Sequence, residues 1–588
     1  MPATPTASAA PPAPALTAGG ALLARLKAVG VDWIFANSGT DFPPIIEGLA
    51  EAQARGLALP QALVVPHEGA GVAMAHGYWL ASGRAQAVMA HTNVGLANCA
   101  IGAINAALEQ IPVLLFSGRT PTTEQGRFGA RTVPIGWGQE MRDQAALVRE
   151  ATKWDYELRF PEQVPELVDR MLAIANSSPR GPVYMSLPRE VLCQPCPADG
   201  PGGGLDAPPT MRPARAAPDP GALAEAARIL AAAERPVVFA QRGAGGGPAA
   251  AAGFAAFGAL AEAWALPLVT WWALRLALPT AHPLSVGDDP LPWLAEADAV
   301  LVLDSLAPWS PDLHAPPPGC KVIQLGPDPL QARVPVRNFR ADVTLACDTA
   351  AGIAALAEVL APHRAARSEA IEARRARVAG RSAETRRKAL AAASAGGGRP
   401  MTKAFVARCL SEAIRGRHAT VLSELGCPLA PLDLAGHDGW YQEPHSGGLG
   451  WSFPAALGMA LADRQEGNRR LVVATLGDGS YMFANPVACH QVAEAQALPI
   501  LLLVLNNAEW GAVRQSVLGL YPDGQAARAN AMPLTSLAPS PDFVKIAEAS
   551  RAWARRVEDG ADLPAVLAEA IGVVEREGRL ALVEVGVG

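Results

Sequence analysis

Short apolar runs of β type, each followed by a longer stretch with helical spacing, recur along nearly the whole 588-residue chain. In the first third, Trp33-Ile34-Phe35-Ala36, 62–65, 87–90 and 113–117 alternate with helical patterns such as 69–82. Buried strands separated by helices belong to parallel sheets covered on both faces. The scheme returns at Pro236-Val237-Val238-Phe239-Ala240, 266–270, Ala299-Val300-Leu301-Val302-Leu303 and 321–325. It returns again at 419–423, 470–476, 500–506 and 580–585. A Pro/Gly-dense run at 195–220 and a charged Ala/Arg stretch ending in Gly396-Gly397-Gly398 interrupt it. The expected architecture is α/β, with three doubly wound parallel-sheet domains at 15–192, 221–362 and 401–588. Linkers at 193–220 and 363–400 join them, and a floppy tail at 1–14 precedes them. The first and third segments are candidates for two copies of one kind of domain.

A formal net charge of -6 gives no overall attraction to nucleic acid or to an anionic membrane. The one Arg-rich run, 364–388, is diluted by Ala and Glu and reads as a solvated helix. No stretch of ~20 apolar residues is present to span a bilayer. The tail lacks the basic start and apolar core of a signal peptide, so a cytoplasmic enzyme is expected. Eight scattered cysteines, with a lone pair at Cys193 and Cys196, fit reduced thiols better than zinc.

Chemistry concentrates at strand ends. One apolar run ends in Gly477-Asp478-Gly479-Ser480, and the next, 501–505, ends in Asn506-Asn507. Ligands of open parallel sheets sit at the carboxyl ends of the strands, so Asp478 and Asn507 share an edge. A carboxylate and an amide oxygen, with backbone carbonyls, suit a hard cation such as Mg²⁺. Gly477 and Gly479 let backbone approach phosphates at a helix N-terminus. A surface Gly-Asp-Gly turn is the plain alternative, and the paired Asn-Asn argues against it.

This arrangement resembles the signature of thiamine diphosphate enzymes. The resemblance implies that Asp478, the Asn507 side chain and the Glu509 backbone carbonyl hold Mg²⁺ against the cofactor diphosphate, with Gly477, Gly479 and Ser480 alongside. It gives a role to Glu68 in Pro66-His67-Glu68-Gly69, which alone would pass for a first-turn helix acid. In this family such a glutamate bonds to the aminopyrimidine ring and promotes loss of the thiazolium proton. The segment Gly447-Gly448-Leu449-Gly450-Trp451 is similar to the glycine-rich stretch beneath the cofactor; Gly448 and Leu449 fall at the contact, Leu449 where a bulky side chain bends the cofactor. The family further implies pyrimidine-binding, central Rossmann-like and diphosphate-binding domains in that order. The site lies between subunits, so a homodimer or homotetramer is expected.

Within the family, several details are similar to benzoylformate decarboxylase. Thr40, in Asn37-Ser38-Gly39-Thr40-Asp41, stands where that enzyme has a serine; His91, in Ala90-His91-Thr92-Asn93, stands at its active-site histidine. An imidazole near neutrality can give and take a proton, which makes His91 the expected proton carrier. Asn93, Trp510, Ala512 and Ser516 are the expected substrate-pocket residues, with Trp309 a further candidate. Two departures stand out. The second catalytic histidine of that enzyme falls at Ala307-Pro308-Trp309-Ser310-Pro311, with His314 only nearby, and Ser516 replaces a phenylalanine.

The implied activity is cleavage or formation of a carbon–carbon bond, foremost non-oxidative decarboxylation of a 2-oxo acid, with an aldehyde as product or partner. Acetolactate-synthase-like carboligation ranks second. A 2-hydroxyacyl-CoA lyase ranks third, because the chain stops just after its last strand. An FAD oxidase ranks last, so no FAD is expected; its support is the run Arg242-Gly243-Ala244-Gly245-Gly246-Gly247. An NAD-dependent dehydrogenase using the same loop lacks an acidic residue roughly twenty residues on. A catalytically dead scaffold would have lost Glu68 or Asp478, and both are present.

Overall fold

A computed structural model describes residues 15–197 and 205–588. The expected tail, 1–14, lies outside the described residues, as do 198–204 within the first linker. Three sheets form, and every strand pairing in them is parallel.

The first sheet contains β1 (Trp33–Ala36), β2 (Gln61–Val64), β3 (Ala87–Ala90), β4 (Leu114–Arg119), β5 (Asp155–Glu157) and β6 (Val183–Pro188), in the order β2-β1-β3-β4-β6-β5. The second contains β7 (Pro236–Ala240), β8 (Leu268–Val269), β9 (Ala299–Leu303), β10 (Lys321–Gly326) and β11 (Val343–Ala346), in the order β11-β10-β9-β7-β8. The third contains β12 (Ala419–Glu424), β13 (Trp440–Gln442), β14 (Leu471–Gly477), β15 (Leu501–Asn506), β16 (Trp553–Val557) and β17 (Ala581–Gly586), in the order β13-β12-β14-β15-β17-β16.

Numbered within each domain, the first and third orders are the same, 2-1-3-4-6-5. The central sheet is the five-stranded form of the same scheme. In all three the strand order reverses between the first and third local strands, which opens a crevice at their carboxyl ends. The crevices lie at β1/β3, β7/β9 and β12/β14.

Strand burial explains why the apolar runs lack alternation: β1, β3, β9 and β12 are buried at every position. Helix Glu68–Ser82 of the first domain packs on Ser452–Glu466 of the third. The two approach so closely that a Cβ on Gly77 or Gly458 would meet the other's backbone within 2 Å. One apolar core therefore runs through both domains.

The second linker departs from expectation. Ser368–Ala395 is a single helix, and Ile371, Arg374, Val378 and Ser382 form a buried stripe along it. Ile371 and Val378 join the central core, while Arg374 donates to the Trp264 carbonyl at 2.7 Å and the Ala233 carbonyl at 3.0 Å. The stripe has helical period, but only two of its four members are apolar, so composition concealed it. The central domain extends through this helix. Cys193 and Cys196 are free thiols. Among the described residues no helix is long and apolar enough to cross a membrane.

Candidate active site

A cavity of about 1210 Å³ opens at the carboxyl ends of the third sheet, against the central domain. Gly477, Asp478, Gly479 and Ser480 line its floor where β14 passes into helix Asp478–Phe483. Asn507, Glu509, Trp510 and Ala512 follow from the end of β15, and Leu449 enters from the glycine-rich segment.

The floor gathers oxygen atoms. Besides a long hydrogen bond from the Glu509 N–H at 3.3 Å, the Asn507 amide oxygen faces the Glu509 carbonyl at 2.8 Å and Asp478 Oδ1 at 3.2 Å. Asp478 Oδ2, buried, has no partner. Exchanging the amide oxygen and nitrogen would give both contacts a donor. A cation among the three oxygens satisfies all of them at once, and an all-oxygen set with one carboxylate suits a hard ion that also takes phosphate oxygens. Burial raises the Asp478 carboxyl above its ordinary range, a cost that a bound cation reverses. Among the described residues no cluster of three His, Cys, Asp or Glu side chains is placed to hold a metal elsewhere.

Gly479 makes room for a side chain of this same chain: its Cβ would fall 2.3 Å from the Trp510 ring. Gly448 does likewise for Asn105, which donates to its carbonyl at 2.8 Å. Gly448 thus joins the first and third domains and does not line the cavity. Ser516 is exposed and off the cavity wall, where Val513 and Gln515 stand instead. On the central side, Trp309, Ser310 and Pro311 line the cavity, while His314 lies behind them and accepts from the Ser310 N–H at 3.3 Å.

The pyrimidine-side residues form a separate constellation within one chain. Glu68 is buried at the start of its helix, 7% exposed. Asn37 donates to its Oε1 at 3.0 Å and Asn98 to its Oε2 at 2.9 Å. His91 caps helix Thr92–Leu108 and packs on Gly39, whose Cβ would overlap the imidazole. Its Nδ1 is hydrogen-bonded to Asp41, and Gln139 donates to Nε2 at 3.0 Å, which puts the neutral ring's proton on Nδ1. The Asp41 contact raises the His91 pKa against the opposing effect of burial. Thr92 donates its N–H to the same carboxylate at 3.1 Å from a backbone with φ of 40°, strained for a β-branched residue. Thr40 is exposed and Asn93 half-buried, and the Glu68 hydrogen bonds go to Asn37 and Asn98 instead. None of Glu68, His91, Thr40 and Asn93 lines the large cavity of its own chain.

Sequence reasoning missed two residues here. Asp41 directly follows Thr40 in the Asn37–Asp41 segment, where a carboxylate next to a strand end is the available signal. Glu424, fully buried at the end of β12, accepts from the N–H groups of Gly450, Trp451 and Ser452 at 2.6, 2.8 and 2.6 Å and so fixes the glycine-rich segment. An acid ending an otherwise apolar buried strand was the available signal.

Family comparisons agree with this layout. The model of the thiamine pyrophosphate enzyme N-terminal TPP binding domain matches residues 16–147, that of the central domain 223–356, and that of the C-terminal TPP binding domain 429–585. The chain belongs to the thiamine pyrophosphate enzyme family. Its three sheets are the three domains of that family, in the same order. A probable 2-ketoarginine decarboxylase of Pseudomonas aeruginosa is 29% identical over 570 residues, 93% of this chain and 90% of that protein. Benzoylformate decarboxylase of the same organism is 28% identical over 503 residues, 83% of this chain and 85% of that one. The crystal structure of benzoylformate decarboxylase from Polynucleobacter necessarius superposes with a TM-score of 0.76 at 20% identity, covering 97% and 98% of the two chains, and shares the fold.

The glycine run of the central domain packs against side chains of this same chain. A Cβ on Gly246 would meet Arg275 Nη1 at 2.4 Å, and one on Gly247 would meet the Trp79 ring at 2.7 Å. Two gaps remain beside them, about 30 Å³ toward Arg242 and Asp304 and about 310 Å³ toward His437 and Arg470 of the third domain; the one at the strand ends is far below the roughly 300 Å³ of a small-ligand site.

Proposed function

We propose that this enzyme uses thiamine diphosphate and Mg²⁺ to cleave the carbon–carbon bond beside the carbonyl of a 2-oxo acid, releasing CO₂ and an aldehyde. The observation that carries the reading is the convergence of Asp478 Oδ1, the Asn507 amide oxygen and the Glu509 carbonyl on one another at 2.8 and 3.2 Å, with Asp478 Oδ2 buried and unpartnered. These three would hold the metal, with Ser480 beside the phosphates and Leu449 beneath the rings. Bound thiamine diphosphate supplies a nucleophilic carbon and an electron sink.

The remaining work falls to residues of this chain. Glu68, fixed by Asn37 and Asn98, holds and returns a proton at the pyrimidine ring nitrogen. His91, oriented by Asp41, moves a proton at the substrate oxygen through Nε2. Two copies of the chain bring the Glu68 constellation of one over the Asp478 floor of the other. Apolar side chains exposed beside these sites, Val94, Ile101 and Ile104 near Glu68 and Phe483 and Val487 beyond Ser480, support such an interface. Relatives whose names are those of decarboxylases support the reaction class.

Glu68→Gln should lower turnover of a responsive 2-oxo acid by about 10²–10⁴-fold while leaving cofactor affinity intact. A panel of 2-oxo acids, scored for CO₂ and for coupled products, finds that substrate. Near-normal turnover in the variant would overturn the role of Glu68.

A further inference from the structure

Three glutamate or aspartate side chains of the large cavity face its interior, and two are accounted for. Asp478 belongs to the oxygen cluster. The Glu509 carboxylate accepts from Thr535 Oγ1 at 2.6 Å and from Arg514 at 3.5 Å. The third, Glu443, has no such partners. It directly follows β13, the edge strand whose place in its sheet matches that of β2, the strand that leads to Glu68 in the first domain.

Glu443 is only 9% exposed. Its carboxyl makes one hydrogen bond among the described residues, a long one from the Leu425 N–H at 3.4 Å. No cation of the described residues pairs with it. Lys403, the nearest positive charge to influence it, donates to the Leu425 carbonyl at 2.6 Å instead. Its acidic neighbour Glu424 is consumed by three backbone N–H groups. Burial, then the Glu424 charge, push the Glu443 pKa up to about 8. A buried acid left this way costs stability unless something donates to it.

The surroundings indicate what that donor is. Two residues on, His445 hydrogen-bonds the Trp272 carbonyl at 3.0 Å and meets the Trp272 ring edge-on. Trp271, Trp272, Trp309, Phe339 and Trp510 all line the same cavity. Indole faces attract cations, as the Phe339 ring already does with Arg337 at 5.1 Å, and a lone carboxyl in the same cavity supplies the opposite charge. The cavity, at about 1210 Å³, exceeds the roughly 300–1,000 Å³ of a single small-ligand site, which leaves length for a substrate tail beyond the cofactor.

We propose that Glu443 is the specificity-determining residue of the cavity and that it receives the cationic end, guanidinium or ammonium, of the 2-oxo acid's side chain. The inference rests on the reaction proposed above and names the substrate class for it. Binding transfers the carboxyl proton to solvent and replaces it with the ligand's charge-assisted hydrogen bonds.

The test uses the holoenzyme with thiamine diphosphate and Mg²⁺. Three 2-oxo acids of matched length are compared, ending in guanidinium, in neutral urea and in alkyl. The wild type should favour the guanidinium acid over its urea isostere by about 10–100-fold in kcat/KM. Glu443→Gln should erase that preference, chiefly through KM, with the alkyl acid changed by less than about twofold and cofactor affinity unchanged. Glu443→Asp should restore part of it. Equal use of the guanidinium and urea acids by the wild type would overturn the proposal. So would an equal loss on all three acids in the Gln variant, which marks a general role.

A second measurement needs no turnover: quenching of tryptophan fluorescence by phenylguanidinium against phenylurea. Glu443-dependent binding of the cation without any CO₂ release would sink the decarboxylase reading and leave this one standing. CO₂ release from alkyl acids without such binding would do the reverse.

Discussion

Two of the three strand-order reversals invite direct comparison, because both carry glycine-rich turns and only one is open. At β7/β9 in the central domain, Arg242 from the first strand end reaches Asp304 from the other at 2.9 Å, and Gln110 of the first domain adds a bond to Asp304 at 3.1 Å. The crevice is bridged by its own ion pair and filled by Trp79 and Arg275. At β12/β14 in the third domain, Asp478 occupies the place of Asp304, yet no arginine meets it, and the oxygens around it face one another. The same topology thus serves cohesion in one domain and ligand capture in another. What distinguishes them is whether the charges at the crevice are already paired.

This contrast is sharpest in variants of the two aspartates. Asp304→Ala leaves the Arg242 guanidinium, 2% exposed, with the Leu108 carbonyl at 2.5 Å and, as its one remaining ion partner among the described residues, Glu109 at 3.9 Å. Breaking a buried pair from one side costs about 3–5 kcal/mol, and the partial Glu109 contact places this case at the low end. Thermal or denaturant unfolding should show the loss, with cofactor affinity per folded molecule unchanged. A stable Asp304→Ala that no longer binds cofactor would reverse the assignment of the two crevices.

Asp478→Ala should do the opposite. Asp478 forms no ion pair among the described residues and feels only the Lys403 charge, so its removal strands no paired cation and the melting temperature should change little. Mg²⁺-dependent binding of thiamine diphosphate should weaken by about 100-fold, equivalent to about 2.7 kcal/mol, as read by calorimetry with and without EDTA. Unchanged affinity would move the metal site elsewhere.

The comparison also explains what the sequence could and could not disclose. Three parallel sheets were legible because β1, β3, β9 and β12 are buried on both faces, so the apolar runs are continuous. Asp478, Asn507 and Glu509 were legible as candidates because they follow the ends of two buried apolar strands, β14 and β15, and such ends share one edge of a parallel sheet. The Arg242 glycine run was ambiguous for a physical reason: glycines admit a phosphate or a tryptophan equally well, and Trp79 lies in a different domain. Asp41, Glu424 and Glu443 act through contacts to residues 50, 26 and 18 positions away, distances at which neither helix nor strand period carries a signal. The buried stripe on Ser368–Ala395 was hidden because an arginine and a serine hold two of its places.

The third reversal, at β1/β3, lies between these extremes, since Asp41 and His91 pair across it but one partner, a histidine whose pKa is raised by that contact, can give up its charge. The sign follows from the raised His91 pKa. The charged pair stabilises the fold fully below the ordinary histidine value of about 6.5, and that contribution fades as pH rises through the higher folded value. Asp41→Asn removes the carboxylate, so the folded value should fall and the fading with it. A histidine resonance followed by NMR should titrate at lower pH in the variant, and the His91-dependent limb of the pH–rate profile should move the same way. Gly39 and Gly118 already shape the space around the ring and the carboxylate, so the isosteric amide fits sterically; its oxygen keeps the Thr92 N–H, its NH₂ faces Nδ1, and Gln139 turns its amide oxygen toward a proton moved to Nε2. A limb that stays in place while the resonance moves would show that His91 titrates without carrying the proton of the reaction. Movement of both would give this crevice a third use, a charge pair that is closed at low pH and available for proton transfer above it.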